Sequence, residues 1–274
     1  MNRACSTLSS SVARTTTSPV ESCAASAAPP PGSRARQRLV LAVSRSEYGP
    51  RGVIVASITG QPYSWPWPDT YAVRLVDSVS LRSRRRKLRL FLDELQPTPE
   101  TTVLDVGADE LAFGEGGGCG TLNFFEELYP WPERITALGL HEGTAFRARY
   151  PHVEYIQGDA CALPFEDGRF DIVFSNAVLE HVGGRERQRV LVTEALRVGR
   201  SVFLTTPNRR FPIEVHTRLP LVHWLPHRLS HPLYRALGKE SATDIHLLTA
   251  RSLAGLFPGR VRVVNLGLTL VAIA

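Results

Sequence analysis

Three short segments of this chain place polar residues directly after apolar runs. They are TVLDVG from Thr102 to Gly107, VEYIQGDA from Val153 to Ala160, and FDIVFSNAVLEHV from Phe170 to Val182. Apolar runs of this length indicate buried parallel strands, and ligands of open α/β sheets bind at the carboxyl ends of such strands. A carboxylate and a glycine at a strand end, as at Asp105 and Gly107, suit a polar ligand that approaches the backbone closely.

The order of these segments resembles that of class I S-adenosylmethionine (SAM) dependent methyltransferases with a type 11 methyltransferase-like domain. The resemblance covers about residues 71–274. It implies an α/β fold, a Rossmann-like three-layer sandwich. The expected sheet has seven strands, mostly parallel with an antiparallel last strand, and a helical insertion follows the fifth strand. The implied cofactor is SAM.

Seven residues form the predicted cofactor site. They are Asp105, Gly107, Asp109, Leu140, Asp159, Ala160 and Asn176. In the family that the chain resembles, the residue matching Asp159 accepts a hydrogen bond from the adenine amino group, and the next backbone amide meets the ring. An Asx turn at Asp159 is the alternative, because Asp often bonds its own backbone.

Two features depart from the family pattern. The segment after Gly107 is long and acidic where the family has a compact glycine loop. Such a loop can suit a ligand bearing an ammonium and a sulfonium, and it is a poor phosphate cradle. Gly139 stands where the family commonly carries an acid for the ribose hydroxyls. Glu142 either substitutes for that acid or is a solvated loop carboxylate.

His181 and His216 are the catalytic candidates. An oxygen or nitrogen acceptor that must lose a proton needs a general base, and an imidazole with an unperturbed pKa of about 6.5 is suitable. His181 follows Glu180 at the expected rim of the cleft. Because this Glu-His pair recurs in the family irrespective of acceptor, a helix-capping or packing role is the alternative.

The segment 208–240 is predicted to be an insertion near the acceptor site. Its prolines predict short helices or turns; they are Pro212, Pro220, Pro226 and Pro232. The insertion is either a lid over an apolar or amphipathic acceptor or a structural cap packed on the sheet. His223 and His227 are four residues apart, but Pro226 lies between them and no carboxylate pattern accompanies them, so no metal site is predicted.

Leu88, Phe91 and Leu95 recur at helical spacing, so residues 80–95 are expected to form a helix on the sheet. Arg82–Lys87 is a basic run that can bind nucleic acid or an acidic membrane, although a solvated face is the favoured interpretation. Nucleic acid is disfavoured as a partner because SNAV at 175–178 replaces the Asn-Pro-Pro-Tyr motif of base methyltransferases.

The N-terminal segments, the cysteines and the lengths of the apolar runs limit the domain organisation and the location of the protein. Residues 1–46 carry one acid and many Ser, Thr, Ala and Arg residues, so a disordered leader is expected there, with a transit peptide or an overlong start as alternatives. Residues 47–70 are a poorly defined linker. The four cysteines show no metal-binding or disulfide spacing. No apolar run reaches the roughly 18 residues of a membrane span, so no transmembrane segment is expected, and peripheral membrane contact stays possible. Free thiols fit a reducing compartment, and a cytoplasmic protein is expected.

The sequence thus predicts a SAM-dependent methyltransferase that acts on a small-molecule or lipid/glycan-linked acceptor. Two alternatives stay open. One is a catalytically degenerate SAM-binding scaffold with an interaction role, which the irregular loop and the missing ribose acid favour. The other is a nucleic-acid methyltransferase that uses the basic run.

Overall fold

The computed structural model describes residues 55–56, 62–63, 71–110 and 122–274. The predicted leader at 1–46, most of the linker at 47–70 and the glycine-rich segment 111–121 lie outside the described residues. Ahead of the main sheet, Val55–Ala56 pairs antiparallel with Pro62–Tyr63.

Seven strands form the main sheet. In chain order they are β1 Val103–Val106, β2 Ile135–Gly139, β3 Glu154–Gln157, β4 Phe170–Asn176, β5 Gly199–Pro207, β6 Arg262–Asn265 and β7 Thr269–Ile273. Their spatial order is β3-β2-β1-β4-β5-β7-β6. The first five strands are parallel, and β7 is antiparallel to both of its neighbours. The predicted mostly parallel sheet with an antiparallel last strand is therefore confirmed.

The short connection between the last two strands fixes their direction. Only residues 266–268 separate β6 from β7, and Gly267 takes a φ of 87° in that turn. A parallel pair needs a crossover of a dozen or more residues, so this hairpin must be antiparallel.

Six α-helices surround the sheet in the described part of the chain. They are α1 Tyr71–Leu95, α2 Phe124–Leu128, α3 Thr144–Arg149, α4 Arg185–Val198, α5 His227–Ala236 and α6 Ala250–Ala254. The helix α1 begins nine residues before the predicted start, because no Gly or Pro interrupts residues 71–80. None of the described helices is both long enough and apolar enough to cross a membrane.

Side chains that alternate along the buried strands pack against helices on the two opposite faces of the sheet. Ile172 and Phe174 of β4 pack in one core with residues of α1, α2 and α3. Val173, between them, packs in the other core with residues of α4 and α6. Successive side chains of a strand point to opposite faces of the sheet, so this division produces the predicted three-layer sandwich.

Prolines shape the insertion less than the sequence suggested. Pro226 precedes α5, as expected, but Pro232 lies inside that helix and does not end it. A proline within a helix removes one backbone hydrogen bond. The helix tolerates the loss near the surface, where Arg228, four residues earlier, is exposed and its carbonyl can meet water.

Candidate functional site

The carboxyl ends of four neighbouring strands lie at one edge of the sheet. Val106, near the end of β1, pairs with Leu138 of β2 and with Ser175 of β4. Gly139, the last residue of β2, pairs with Gln157 of β3. The structure therefore brings the ends of the predicted motif strands together, and each predicted cofactor residue lies at or just beyond one of these ends.

Gly107 makes the tight turn after β1. Its φ is 106°, and its amide donates a hydrogen bond to the Leu138 carbonyl at 2.8 Å. A Cβ at this position would lie 2.1 Å from Val178 Cγ2. Only glycine permits this backbone conformation and this close approach to the loop after β4, so a side chain here would push the β1 turn and that loop apart.

The same close packing explains why an acid is missing at the end of β2. A Cβ on Gly139 would lie 2.3 Å from the Tyr155 hydroxyl and 2.5 Å from the Ala108 carbonyl oxygen. The acid typical of the resembled family cannot fit there. Leu140, the next residue, is 55% exposed, so it is available to an incoming ring. Glu142 is exposed.

Asp109 lies where the described chain turns away from β1. Its amide donates to Asn123 Oδ1 at 3.0 Å, and its carbonyl accepts from Asn123 Nδ2 at 2.7 Å. These two hydrogen bonds hold Asp109 and Asn123 together, one at each end of the segment that follows Gly107. The neighbouring Glu110 accepts from the amides of Gly143 and Ala145 at the start of α3, so this acid is engaged in capping that helix.

Asp159 forms the Asx turn that was the alternative to cofactor binding. Its Oδ1 accepts from the Cys161 amide at 2.8 Å, and its Oδ2 pairs with Arg187 Nη2 at 3.0 Å. The side chain is nevertheless 46% exposed. Ala160 is buried. The cofactor role of both residues stays a prediction, and a local turn does not prevent an exposed carboxylate from accepting a further hydrogen bond.

Asp105 is paired with a second buried carboxyl group, that of Glu126 on α2. Both side chains are at least 94% buried. When both are ionised, neither Glu126 oxygen has a donor among the described residues, and the two groups can hydrogen-bond only by sharing a proton. Burial raises the pKa of each, and the Glu126 charge raises that of Asp105 further. The site therefore offers a carboxyl pair that a cationic ligand group would stabilise.

We expect Glu126→Gln to raise the melting temperature by about 5 °C at pH 8 and by less at pH 5. Because the raised pKa values let the folded state hold protons that the unfolded chain has released, stability falls as the pH rises from about 4 through the raised values. The amide removes one of these groups and can donate to Asp105. Melting curves at both pH values test this expected pH dependence. Glu133 is exposed, so Glu133→Gln is the matched control. An equal shift at both pH values would contradict the carboxyl pair.

Lys87 contradicts the interpretation of the basic run as a wholly solvated face. It is only 4% exposed, and its Nζ donates to Asn176 Oδ1. Thr205 Oγ1 donates to the same oxygen at 2.9 Å. Burial, followed by the charge of Arg84, lowers the pKa of Lys87 well below its usual range. Its position next to Leu88 and four residues before Phe91 places it on the buried stripe of α1, which was the available sequence signal.

The two catalytic candidates come together although 35 residues separate them. Their Nε2 atoms are 3.1 Å apart. His181 lies on a turn in which its amide donates to the Val178 carbonyl at 2.8 Å. Since α4 begins only at Arg185, with Gly184 as its N-cap, the helix-capping alternative for His181 is wrong.

Glu214, which the sequence did not single out, orients His216. Its Oε1 lies 2.6 Å from His216 Nδ1, and its carboxylate accepts from the amides of His216 and Thr217. Burial opposes its ionisation, but these bonds and the His216 charge lower its pKa to about 2. An ionised Glu214 only accepts, so His216 Nδ1 carries the hydrogen. Burial and the His216 charge lower the pKa of His181 to about 4.

The insertion borders a cavity of about 520 Å³. Its lining includes Arg185, Arg209, His223, Trp224, Leu225 and Tyr234. Trp224 is 48% exposed, and its Nε1 donates to the Arg209 carbonyl at 2.6 Å. Glu214 also lines this cavity. The tryptophan is therefore not a core residue, and the cavity adjoins the pair formed by Glu214 and His216.

Comparisons with known proteins find similarity over part of this chain. The family model "Methyltransferase domain" matches residues 116–201. A probable S-adenosylmethionine-dependent methyltransferase of Mycolicibacterium smegmatis is 36% identical over 108 residues, which is 38% of this chain and 39% of that protein. Demethylmenaquinone methyltransferase of Renibacterium salmoninarum is 34% identical over 124 residues, 44% of this chain and 46% of that protein.

The chain thus spans less than half the length of these curated relatives. Among solved structures, N-methyltransferase NodS of Bradyrhizobium japonicum in complex with S-adenosyl-L-homocysteine aligns with a TM-score of 0.43 and 15% identity. The alignment covers 69% of this chain and 85% of NodS.

Proposed function

We propose that this chain is a class I SAM-dependent methyltransferase that transfers the methyl group of SAM to an oxygen or nitrogen of a small-molecule or lipid/glycan-linked acceptor. The observation that carries the proposal is the convergence of Asp105, Gly107 and Asn176 at the carboxyl ends of adjacent parallel strands, with Glu180 and His181 on the loop that follows. This is the edge at which open α/β sheets bind their ligands.

The residues at this edge fit the cofactor. Gly107 lets the turn after β1 approach the loop after β4 closely, and the buried pair of Asp105 and Glu126 suits the ammonium of the methionine part. Leu140 and Asp159 are exposed at the neighbouring strand ends, where an adenine can lie. SAM supplies a methyl carbon already activated by its sulfonium. The chain has to hold the acceptor in line with that carbon, exclude water and promote loss of the acceptor's proton.

The acceptor class is supported by the insertion and its cavity. Trp224 and Leu225 offer apolar surface to the cavity, and Arg185 and Arg209 also line it. A cavity of this size and mixed lining suits a drug-sized amphipathic molecule. In the lid interpretation, residues 208–240 cover that molecule.

The proposal includes the extent of the domain and its location. We assign the methyltransferase domain to residues 71–274, after a leader at 1–46 and a linker at 47–70. We place the reaction in the cytoplasm, because the cysteine spacing of the sequence gives no disulfide framework.

We expect SAM to raise the melting temperature of the full chain. A ligand that binds only the folded state adds about 2.7 kcal/mol at a hundredfold excess over its Kd, which is about 5–10 °C for a domain of this size. Calorimetric titration with SAM and with S-adenosylhomocysteine measures the affinities, and NADH serves as a matched nucleotide control. No shift at millimolar SAM would reject the proposal. Binding of SAM without methyl transfer to any member of an acceptor panel would favour the degenerate scaffold.

A further inference from the structure

Three side-chain atoms converge beside the proposed cofactor edge: Glu180 Oε1, His181 Nε2 and His216 Nε2. The two nitrogens are 3.1 Å apart. The carboxylate oxygen lies 4.0 Å from that of His181 and 3.9 Å from that of His216. The point equidistant from all three atoms lies about 2.1 Å from each, which is the usual length of a bond from Zn²⁺ to a histidine nitrogen or a carboxylate oxygen.

Glu180 supplies an independent observation that points to a cation. Its side chain is 0% exposed, and its Oε2 accepts from Thr206 Oγ1 at 2.9 Å. Its Oε1 accepts no hydrogen bond within the part of the chain that the structure describes. The buried ammonium of Lys87 donates to Asn176 instead. A buried acceptor without a donor is costly, and an ion at the equidistant point would satisfy it.

The surrounding groups orient the three atoms as the outer ligands of a metal site do. Glu214 holds His216 Nδ1 at 2.6 Å, so the Nε2 lone pair is directed toward His181 and Glu180. A carboxylate on the distal nitrogen of a ligating histidine is the usual partner in metal proteins. Thr206 fixes the Glu180 carboxylate in the same way.

The two histidines of the cluster are partly exposed to solvent. The His181 and His216 side chains are 22% and 26% exposed, whereas Glu180 is fully buried. The cluster is therefore closed on the carboxylate side and open on the histidine side. Three protein ligands with one open position are the arrangement of catalytic zinc, and structural zinc sites are closed by four ligands.

We propose that Glu180, His181 and His216 bind one divalent transition-metal ion, of the type of Zn²⁺, and that an acceptor hydroxyl occupies its open position. Two imidazoles and one carboxylate suit this ion, and methyl transfer moves no electrons that would require a redox metal. The ion replaces the hydrogen between the two Nε2 atoms. It lowers the pKa of the hydroxyl, whose proton leaves to solvent before the oxygen accepts the methyl group. This role rests on the proposed function, whereas binding of the ion does not.

Metal binding is measured on the full chain prepared without a histidine tag and without SAM. After removal of metals with a chelator, the protein is titrated with Zn²⁺ by calorimetry, and the retained metal is counted by mass spectrometry. We expect one ion per chain. We expect His181→Ala and His216→Ala to weaken binding at least a hundredfold, and Glu214→Gln to weaken it about 10–100-fold. Cobalt substitution gives a second readout, the visible absorption of a four-coordinate ion.

A second close histidine pair, His227 and His231, provides the matched control. Their Nδ1 and Nε2 atoms are 3.0 Å apart on α5, so they test whether any close histidine pair binds the ion. The variant that replaces both with Ala should retain the full affinity. Absence of stoichiometric binding by the wild-type chain would overturn the proposal, as would binding that follows His227 and His231. Glu180→Gln, which keeps an acceptor for Thr206, gives a second ligand variant if an alanine variant does not fold. SAM titration of the same preparations tests the proposed function separately.

Discussion

Phe91→Ala is expected to lower the free energy of unfolding by about 3–5 kcal/mol, and the melting temperature by about 10 °C. Phe91 is fully buried, and its ring meets those of Phe125, Phe174 and Phe203 edge-on, with centroids 5.2–5.7 Å apart. Truncation leaves a cavity where α1 packs on two strands of the sheet. It also removes aromatic pairs, each of which contributes about 0.5–1.5 kcal/mol beyond its buried area.

Urea denaturation measures the change directly. Val79 lies on the same helix but is 54% exposed, so Val79→Ala should change the free energy of unfolding by no more than about 0.5 kcal/mol. The helix α1 also positions Lys87 for its hydrogen bond to Asn176. The Phe91 variant should therefore bind SAM more weakly even at temperatures where it remains folded. A loss below about 1 kcal/mol, like that of an ordinary surface position, would mean that α1 does not pack on the sheet as described.

Gly107→Ala is expected to weaken SAM binding about a hundredfold or more and to destabilise the fold by about 3 kcal/mol. The new methyl group would stand 2.1 Å from Val178 Cγ2, in a backbone conformation with a φ of 106° that disfavours any side chain. The backbone turn and the loop after β4 must therefore move apart. Since Asp105 and Asn176 flank that contact, the geometry of the cofactor edge changes with it.

A second substitution separates the clash from the backbone strain. Val178→Ala removes Cγ2, so the double variant of Gly107 and Val178 should recover part of the stability, while the strain at Gly107 remains. Gly168→Ala is the control, because Gly168 also has a positive φ, 65°, but nothing lies within 4 Å of its Cβ position. It should lose about 1 kcal/mol and keep its SAM affinity. Calorimetry measures the SAM affinity of all four variants, and melting curves measure their stability. If the double variant is no more stable than Gly107→Ala, the close contact with Val178 is contradicted.

The order of the seven strands and the sheet edge proposed for the site followed from local sequence patterns. Apolar runs that end in Asp105, Asp159 and Asn176 were sufficient, because buried parallel strands need continuous apolar stretches and ligands meet their carboxyl ends. The bounds of α4 and the antiparallel last strand also followed from local pattern and connection length. The resemblance to the family then supplied the cofactor, which the family match supports.

The contacts between polar side chains depend on long-range packing that local patterns do not encode. Lys87 lies in a run that was interpreted as a solvated face, and Glu214 lies in the insertion. Glu126 lies in a segment for which the sequence gave no prediction. Each of the three is nevertheless buried against a site residue. His181 and His216 are 35 residues apart, and no spacing rule relates a strand-end loop to a distant insertion. Their contact is fixed by how residues 208–240 fold back toward the loop after β4, and this depends on packing and on buried hydrogen bonds that exist only once the chain has closed on itself.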